Sequence, residues 1–221
     1  MNRTLTLAVF VAVAVLAVSP AVAQKSKDTL RLGFYQPVRI IDTFYEPGPE
    51  QGQASRMLFD NLLNYDNNKN DYVPGIASSW KQTDPSTMEF TIRQDIKFTD
   101  GQPMTMDDVM YTFQFMMDPT AKYRFQDTRI GWIAGVEKAG PWTLRIKSKQ
   151  PMAIMPAKLT QFPSVVPKHI HEKLENKSTF GNNPVGTGPY KAVEIESGTK
   201  FVLQTNDLYK HGNVGKPAGV I

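Results

Sequence analysis

Cysteine is missing from all 221 residues. That absence excludes disulfide staples, thiol nucleophiles and cysteine-based metal sites, so stability has to come from a packed core. It also removes the attachment point of a bacterial lipoprotein anchor. Histidine occurs only three times, and no helical His-Glu-x-x-His, Gly-x-Ser-x-Gly elbow or pair of carboxylates spaced for acid/base work is present. Nothing in the residues therefore argues for an enzyme. Charge of one sign is scarce as well: 25 Lys and Arg stand against 21 Asp and Glu, scattered without a run of five like charges. Nucleic-acid binding, which needs cations clustered along a phosphate track, is not expected.

Long apolar runs are limited to one, at the amino terminus. Arg3 precedes a 14-residue apolar run from Leu5 to Val18, followed by Ser19-Pro20-Ala21-Val22-Ala23. The run is shorter than the roughly 20 residues that span a bilayer, and Ala21 and Ala23 suit signal peptidase. Residues 1–23 are expected to be a cleaved secretory signal peptide, leaving a periplasmic product at 24–221.

The remainder patterns as mixed α and β. Thr29 to Phe34 alternates as a half-buried strand, and Gln53 to Tyr65 places Ala54, Met57, Leu58 and Leu62 at helical spacing. Hairpins are expected around Asp84-Pro85-Ser86, Ala139-Gly140-Pro141 and Ser197-Gly198. Thr105 with Asp108 three residues later forms a capping box, and a helix carrying Met106, Val109, Met110, Phe113 and Met117 on one face should end at Asp118-Pro119.

Three stretches mimic ligand sites. "NNPVGTGPYK" (182–191) has the glycines of a phosphate loop, but Gly188 is followed by proline and no helix start follows. A tight turn feeding a strand is the better reading, with Gly186 and Gly188 serving unusual backbone angles or close approaches. Asp66 to Asp71 begins like a calcium loop, then lacks both the turn glycine and the final glutamate. His169 and His171 would share one side of an extended segment, as two ligands without an identifiable third, or lie in a surface loop after Pro167.

Taken in order, several stretches resemble the bacterial extracellular solute-binding proteins of the dipeptide and oligopeptide type, family 5, which serve ABC importers. They are "DTLRLGFYQPVRIIDTFY", "ASRMLFDNLLNYD", "YVPGIASSW", "MEFTIRQDIKFTDGQPMTMDDVMYTF", "NPVGTGPYK" and "LQTNDLYKHGNVGKP", which together span nearly all of the mature chain. Departures include Thr43 where proline is usual after the aspartate, Ile76 for leucine, and Leu208-Tyr209 with His211 in place of the usual Tyr-Trp pattern.

The resemblance implies an α/β fold: the first lobe of a two-lobed periplasmic-binding-protein-like architecture, truncated before the second lobe. It implies a non-catalytic substrate-binding component that needs no cofactor. Such a protein takes a peptide or other small solute, works with ABC permease and ATPase subunits, and is a monomer when complete. The family's ligand wall carries over to Tyr45 with Glu46, Arg124 with Phe125, and Gln161 with Phe162. Aromatic rings would supply apolar area and the charged groups would meet peptide termini; Phe125 and Phe162 could equally be core. A lobe bearing one wall is expected to bind weakly or not at all and to expose strand edges that favour self-association. The alternatives are a secreted enzyme, a structural β-rich protein sharing the pattern, or a non-functional gene fragment.

Overall fold

The computed structural model describes residues 29–46, 48–210 and 219–220; the expected signal peptide and His211 lie outside them. In chain order the elements are β1 (Thr29–Leu30), α1 (Pro49–Leu58), β2 (Leu63–Asp66), β3 (Asp71–Pro74), β4 (Ala77–Asp84), β5 (Thr87–Ile92), α2 (Met106–Met117) and α3 (Gln126–Ile130). They continue with β6 (Ile133–Gly140), β7 (Thr143–Ser148), α4 (Met155–Leu159), α5 (Lys168–His171), β8 (Tyr190–Glu196), β9 (Lys200–Thr205) and β10 (Gly219–Val220). The expected mixture of α and β holds.

Among the described residues, one sheet has the order β4-β5-β7-β6, all antiparallel. Its strands alternate as a sheet with one solvated face should. Met88, Phe90, Ile92, Leu144 and Ile146 point into the core. The opposite face carries the row Lys81, Glu89, Arg145, Glu137, in which Lys81 and Arg145 pair with Glu89 at 3.0 and 2.6 Å and Arg145 also pairs with Glu137. The other large sheet has the order β1-β10-β9-β8, with β1 parallel to β10, and β2–β3 forms a separate hairpin.

The expected hairpins form, although the β6–β7 turn centres on Pro141-Trp142, one residue later than the pattern suggests. Asp66 to Asp71 is such a turn too, with Asp66 Oδ1 accepting from the backbone N–H groups of Asn68 and Lys69 at 2.9 and 3.2 Å. Those are the bonds of an Asx turn, and they account for the acidic and amide residues there. Of Thr29 to Phe34, only Thr29–Leu30 pairs as strand; Leu32 and Phe34 remain half-buried between exposed neighbours.

The α2 helix begins as the capping pattern requires. Asp108 Oδ2 accepts from the Thr105 backbone N–H at 2.8 Å and its hydroxyl at 2.7 Å, while Oδ1 accepts from Lys168 N at 2.8 Å. One buried carboxylate thus caps one helix and fixes the start of another. The buried face is Met106, Val109, Thr112, Phe113 and Met116; Met110 and Met117 are only half-buried.

The helix expected over 53–65 is corrected. It starts earlier, with Pro49 in its first turn, and stops at Leu58. Leu58 O accepts from Gly188 N at 2.8 Å, Asn61 O from Ile76 N at 3.0 Å and Leu62 O from Ala77 N at 3.0 Å. Carbonyls that a continuing helix would use internally are claimed by distant segments, so the chain turns extended and Leu63–Asp66 becomes β2.

The clamp on Leu58 is the 182–191 stretch. Neither Gly186 nor Gly188 has a positive φ; what each provides is close approach. A Cβ on Gly186 would stand 2.0 Å from Leu58 O, and one on Gly188 would stand 2.5 Å from Leu58 C. Thr187 Oγ1 accepts from Asp60 N at 3.3 Å, Asn206 Nδ2 donates to Gly188 O at 2.8 Å, and Thr99 N donates to Gly186 O at 2.9 Å. The stretch ties the end of α1 to the start of β8, which is a positional role.

Candidate functional site

The segment entering α1 is anchored by Ile41 and Phe44, both fully buried. Between them Asp42 makes a tight turn, its Oδ1 accepting from Phe44 N at 2.6 Å and Tyr45 N at 2.5 Å. Gln51, in the first turns of α1, donates through Nε2 to the carbonyls of Ile40 and Asp42. Ser55 follows one turn later. From the other side, Asn61 Nδ2 donates to Thr160 O at 2.8 Å and its Oδ1 accepts from Ser164 Oγ at 3.2 Å, pinning the 160–164 strip. Arg129 of α3 donates from Nη1 to Thr43 O at 2.7 Å and lies 3.9 Å over the ring of Phe162.

These groups enclose a cleft of about 150 Å³ whose lining includes Asp42, Gln51, Ser55, Arg129, Gln161 and Phe162. Its polar floor is incompletely satisfied. Asp42 Oδ2 and Ser55 Oγ are buried without a hydrogen-bond partner among the described residues. Buried polar atoms ordinarily find partners, and leaving one unmade costs about 1–3 kcal/mol. Burial pushes the Asp42 carboxyl above its usual range, opposed by the N–H groups of Tyr45 and Phe44 and by the charge of Arg129. Burial also draws Arg129 down, opposed by Tyr123 and Asp42. Larger hollows exist, such as one of about 600 Å³ beside Glu89 and Arg145, but there the charges already pair with one another.

The six residues carried over from the resemblance divide. Gln161 and Phe162 line the cleft. Tyr45 and Glu46 are half-buried beside it; the Tyr45 hydroxyl donates to Ala121 O at 3.3 Å. Arg124 and Phe125 are exposed and stack on each other at 5.4 Å, outside the lining. Phe125 is therefore not core. Sequence reasoning missed Asp42, Ser55 and Arg129. Asp42 stands inside a stretch that carried the resemblance, yet nothing in the pattern marked half of its carboxylate as unpartnered.

The two neighbouring histidines do not converge. They sit on the four-residue helix α5, not an extended segment, and point apart. His169 Nε2 meets Asp100 Oδ2 at 2.7 Å near the surface. His171 is wholly buried, with Nδ1 2.8 Å from the Tyr111 hydroxyl and the rings of Phe44, Phe115 and Phe180 around it. Among the described residues no group of three or more His, Asp and Glu is placed to hold a metal, and no helix is long and apolar enough to cross a membrane.

Comparison with known proteins adds the following. The model of the bacterial extracellular solute-binding proteins, family 5 Middle, matches residues 71–221. The HTH-type transcriptional regulator SgrR of Escherichia coli (strain K12) is 26% identical over 186 residues, covering 84% of this chain and 32% of the regulator. Among solved structures, the unliganded open form of MppA, a periplasmic murein tripeptide binding protein, superposes with a TM-score of 0.78 at 26% identity, covering 88% of this chain and 41% of MppA. NikZ from Campylobacter jejuni, in complex with Ni(L-His), gives 0.76 at 25% identity, covering 88% and 38%. The chain thus spans about a third of its curated relatives and about two fifths of the solved structures it matches, as one part of a periplasmic-binding-protein fold.

Proposed function

The chain belongs to the bacterial extracellular solute-binding proteins of family 5, and from that premise we propose that it is the substrate-binding component of an ABC importer. In this reading it is exported behind a cleaved leader, captures peptides or similar small solutes in the periplasm without chemical change, and hands them to a membrane permease driven by ATPase subunits. The observation that carries the reading is the cleft at the start of α1. There a buried carboxylate oxygen and a buried hydroxyl lack partners among the described residues, beside an Arg129 held by Thr43 O and Phe162. A site that keeps polar groups fixed but unsatisfied is prepared for a polar ligand. Gln161 and Phe162 take the contact role, while Tyr45, Glu46, Arg124 and Phe125 lie outside the lining.

Hinged binding proteins gain affinity because closure brings contacts from a second wall. In this reading the cleft at the start of α1 belongs to one such wall, so capture by that wall alone is weak. Isothermal titration against a short-peptide library tests the reading. Saturable heats weaker than micromolar, lost on Arg129→Ala, are expected. Micromolar binding would refute the one-wall account, and no response from any peptide of the library would refute the peptide-binding role. The regulator among the relatives is some three times longer than the matched region, and its name describes that larger protein.

A further inference from the structure

We infer that a hollow between β1 and β9 is a strand-accepting slot, which takes an extended segment of a second polypeptide with an apolar residue at every other position. It lies on the β1-β10-β9-β8 sheet and stands whether or not the cleft takes a solute. Thr29 pairs with Gly219 and Leu30 with Val220, while Val220 faces Leu203 across the other ladder. Among the described residues β10 runs no farther, yet both flanking segments keep the strand pattern. Half-buried Leu32 and Phe34 alternate with exposed Arg31, Gly33 and Tyr35, and buried Phe201 and Leu203 alternate with exposed Lys200 and half-buried Val202. Between the two segments is a space of about 380 Å³ whose lining includes Leu32, Phe34, Val38, Lys200 and Phe201. The rings of Phe34 and Phe201 stack at 5.9 Å as an apolar floor, and Gly198 N donates to Val38 O at 3.1 Å across the far end.

Register decides what fits. Carried two residues along from the row of Leu30, Val220 and Leu203, an inserted strand sets one side chain between Leu32 and Phe201, and the side chain two further on beside Phe34. Those side chains meet the apolar floor. The alternate ones fall beside exposed Arg31 and Lys200, where acidic residues suit the charge. β9 pairs with β8 along its length but with β10 only at Leu203 and Gln204, so its 200–202 edge, like that of 31–34, has no ladder partner among the described residues. A small apolar molecule would leave those backbone groups unmade. A helix, about 10–12 Å across, is too wide for a position one strand wide. The β8 strand of a second copy fails too, because a strand in the slot needs both edges and β8 already pairs with β9. A free extended segment gains ladder bonds on two sides, more than addition to a single sheet edge provides.

NMR titration of the 15N-labelled chain, up to the millimolar range, tests the slot with acetyl-Glu-Val-Glu-Val-Glu-amide and with the same residues in blocks, acetyl-Val-Val-Glu-Glu-Glu-amide. The alternating peptide is expected to shift the amides of 31–34 and 199–202, and the block peptide to bind at least about tenfold more weakly. Leu32→Lys, which puts a charge on the apolar floor, should abolish the response, with the amides of the β4-β5-β7-β6 sheet reporting that the variant is folded. Val193→Lys, on the edge strand β8, should leave it unchanged. The comparison of the two peptides on the unaltered chain stands even if Leu32→Lys does not fold. Equal responses to both peptides overturn the strand assignment. Shifts gathered on 190–196 give the peptide to the β8 edge, and shifts of 31–34 that grow with protein concentration alone give the slot to a second copy; either result overturns the proposal, as does the absence of any shift.

Discussion

Gly188 shows how much one missing Cβ can determine. Valine there, or at Gly186, would drive a side chain into the backbone of Leu58, which cannot rotate away. A loss of about 3 kcal/mol or more is expected, read as a lowered thermal midpoint; an unchanged midpoint would reopen a ligand role for the loop. His171 acts through protonation. Burial, aided by the charge of Lys177, lowers its pKa from 6.5 to about 4, while burial pushes the neighbouring Tyr111 hydroxyl up to about 12. Between those two His171 values the unfolded chain binds the proton and the folded chain does not. Its contribution is therefore fully present above pH 6.5 and is lost as pH falls toward 4, on the order of 3 kcal/mol in all. Denaturant midpoints measured across that window should fall with pH, and His171→Phe should flatten the slope. Roles such as these were hidden in the sequence because they depend on which distant atoms come within 3 Å.

At the level of elements, sequence and structure agree where the determinants are local. The α2 cap, the turns and the alternating strands of the β4-β5-β7-β6 sheet follow from neighbours within a few residues. Agreement fails at α1, where Gly188, Ile76 and Ala77 take hydrogen bonds that periodicity assigns to a continuing helix. Asp108 joins two elements, so Asp108→Ala should cost about 2 kcal/mol: the cap is lost and the Lys168 N–H loses its acceptor. A second substitution, Thr105→Ala, removes only the hydroxyl and should cost less. Equal losses measured by urea denaturation would show that the Lys168 bond contributes nothing.

For the whole molecule, β8 closes one side of its sheet without a further partner strand among the described residues, and Val193 on it is 48% exposed. An open edge bearing an apolar side chain templates pairing with another chain. Sedimentation velocity should show association that grows with concentration and is reduced by Val193→Lys; a monomer at all concentrations would count against it. The sequence by itself determined the mixed α/β class, the family, the α2 helix and the main hairpins, since turn chemistry, capping and alternation act over a few residues and leave a readable pattern. Two of the residues that line the cleft, Gln161 and Phe162, stood among the six carried over from the resemblance. Only the tertiary structure decided that α1 ends at Leu58, that the two histidines part, and that Asp42, Ser55 and Arg129 share one cleft. Those outcomes depend on hydrogen bonds and burial between residues up to about 130 positions apart, and whether a buried oxygen finds a partner is a property of the packed fold.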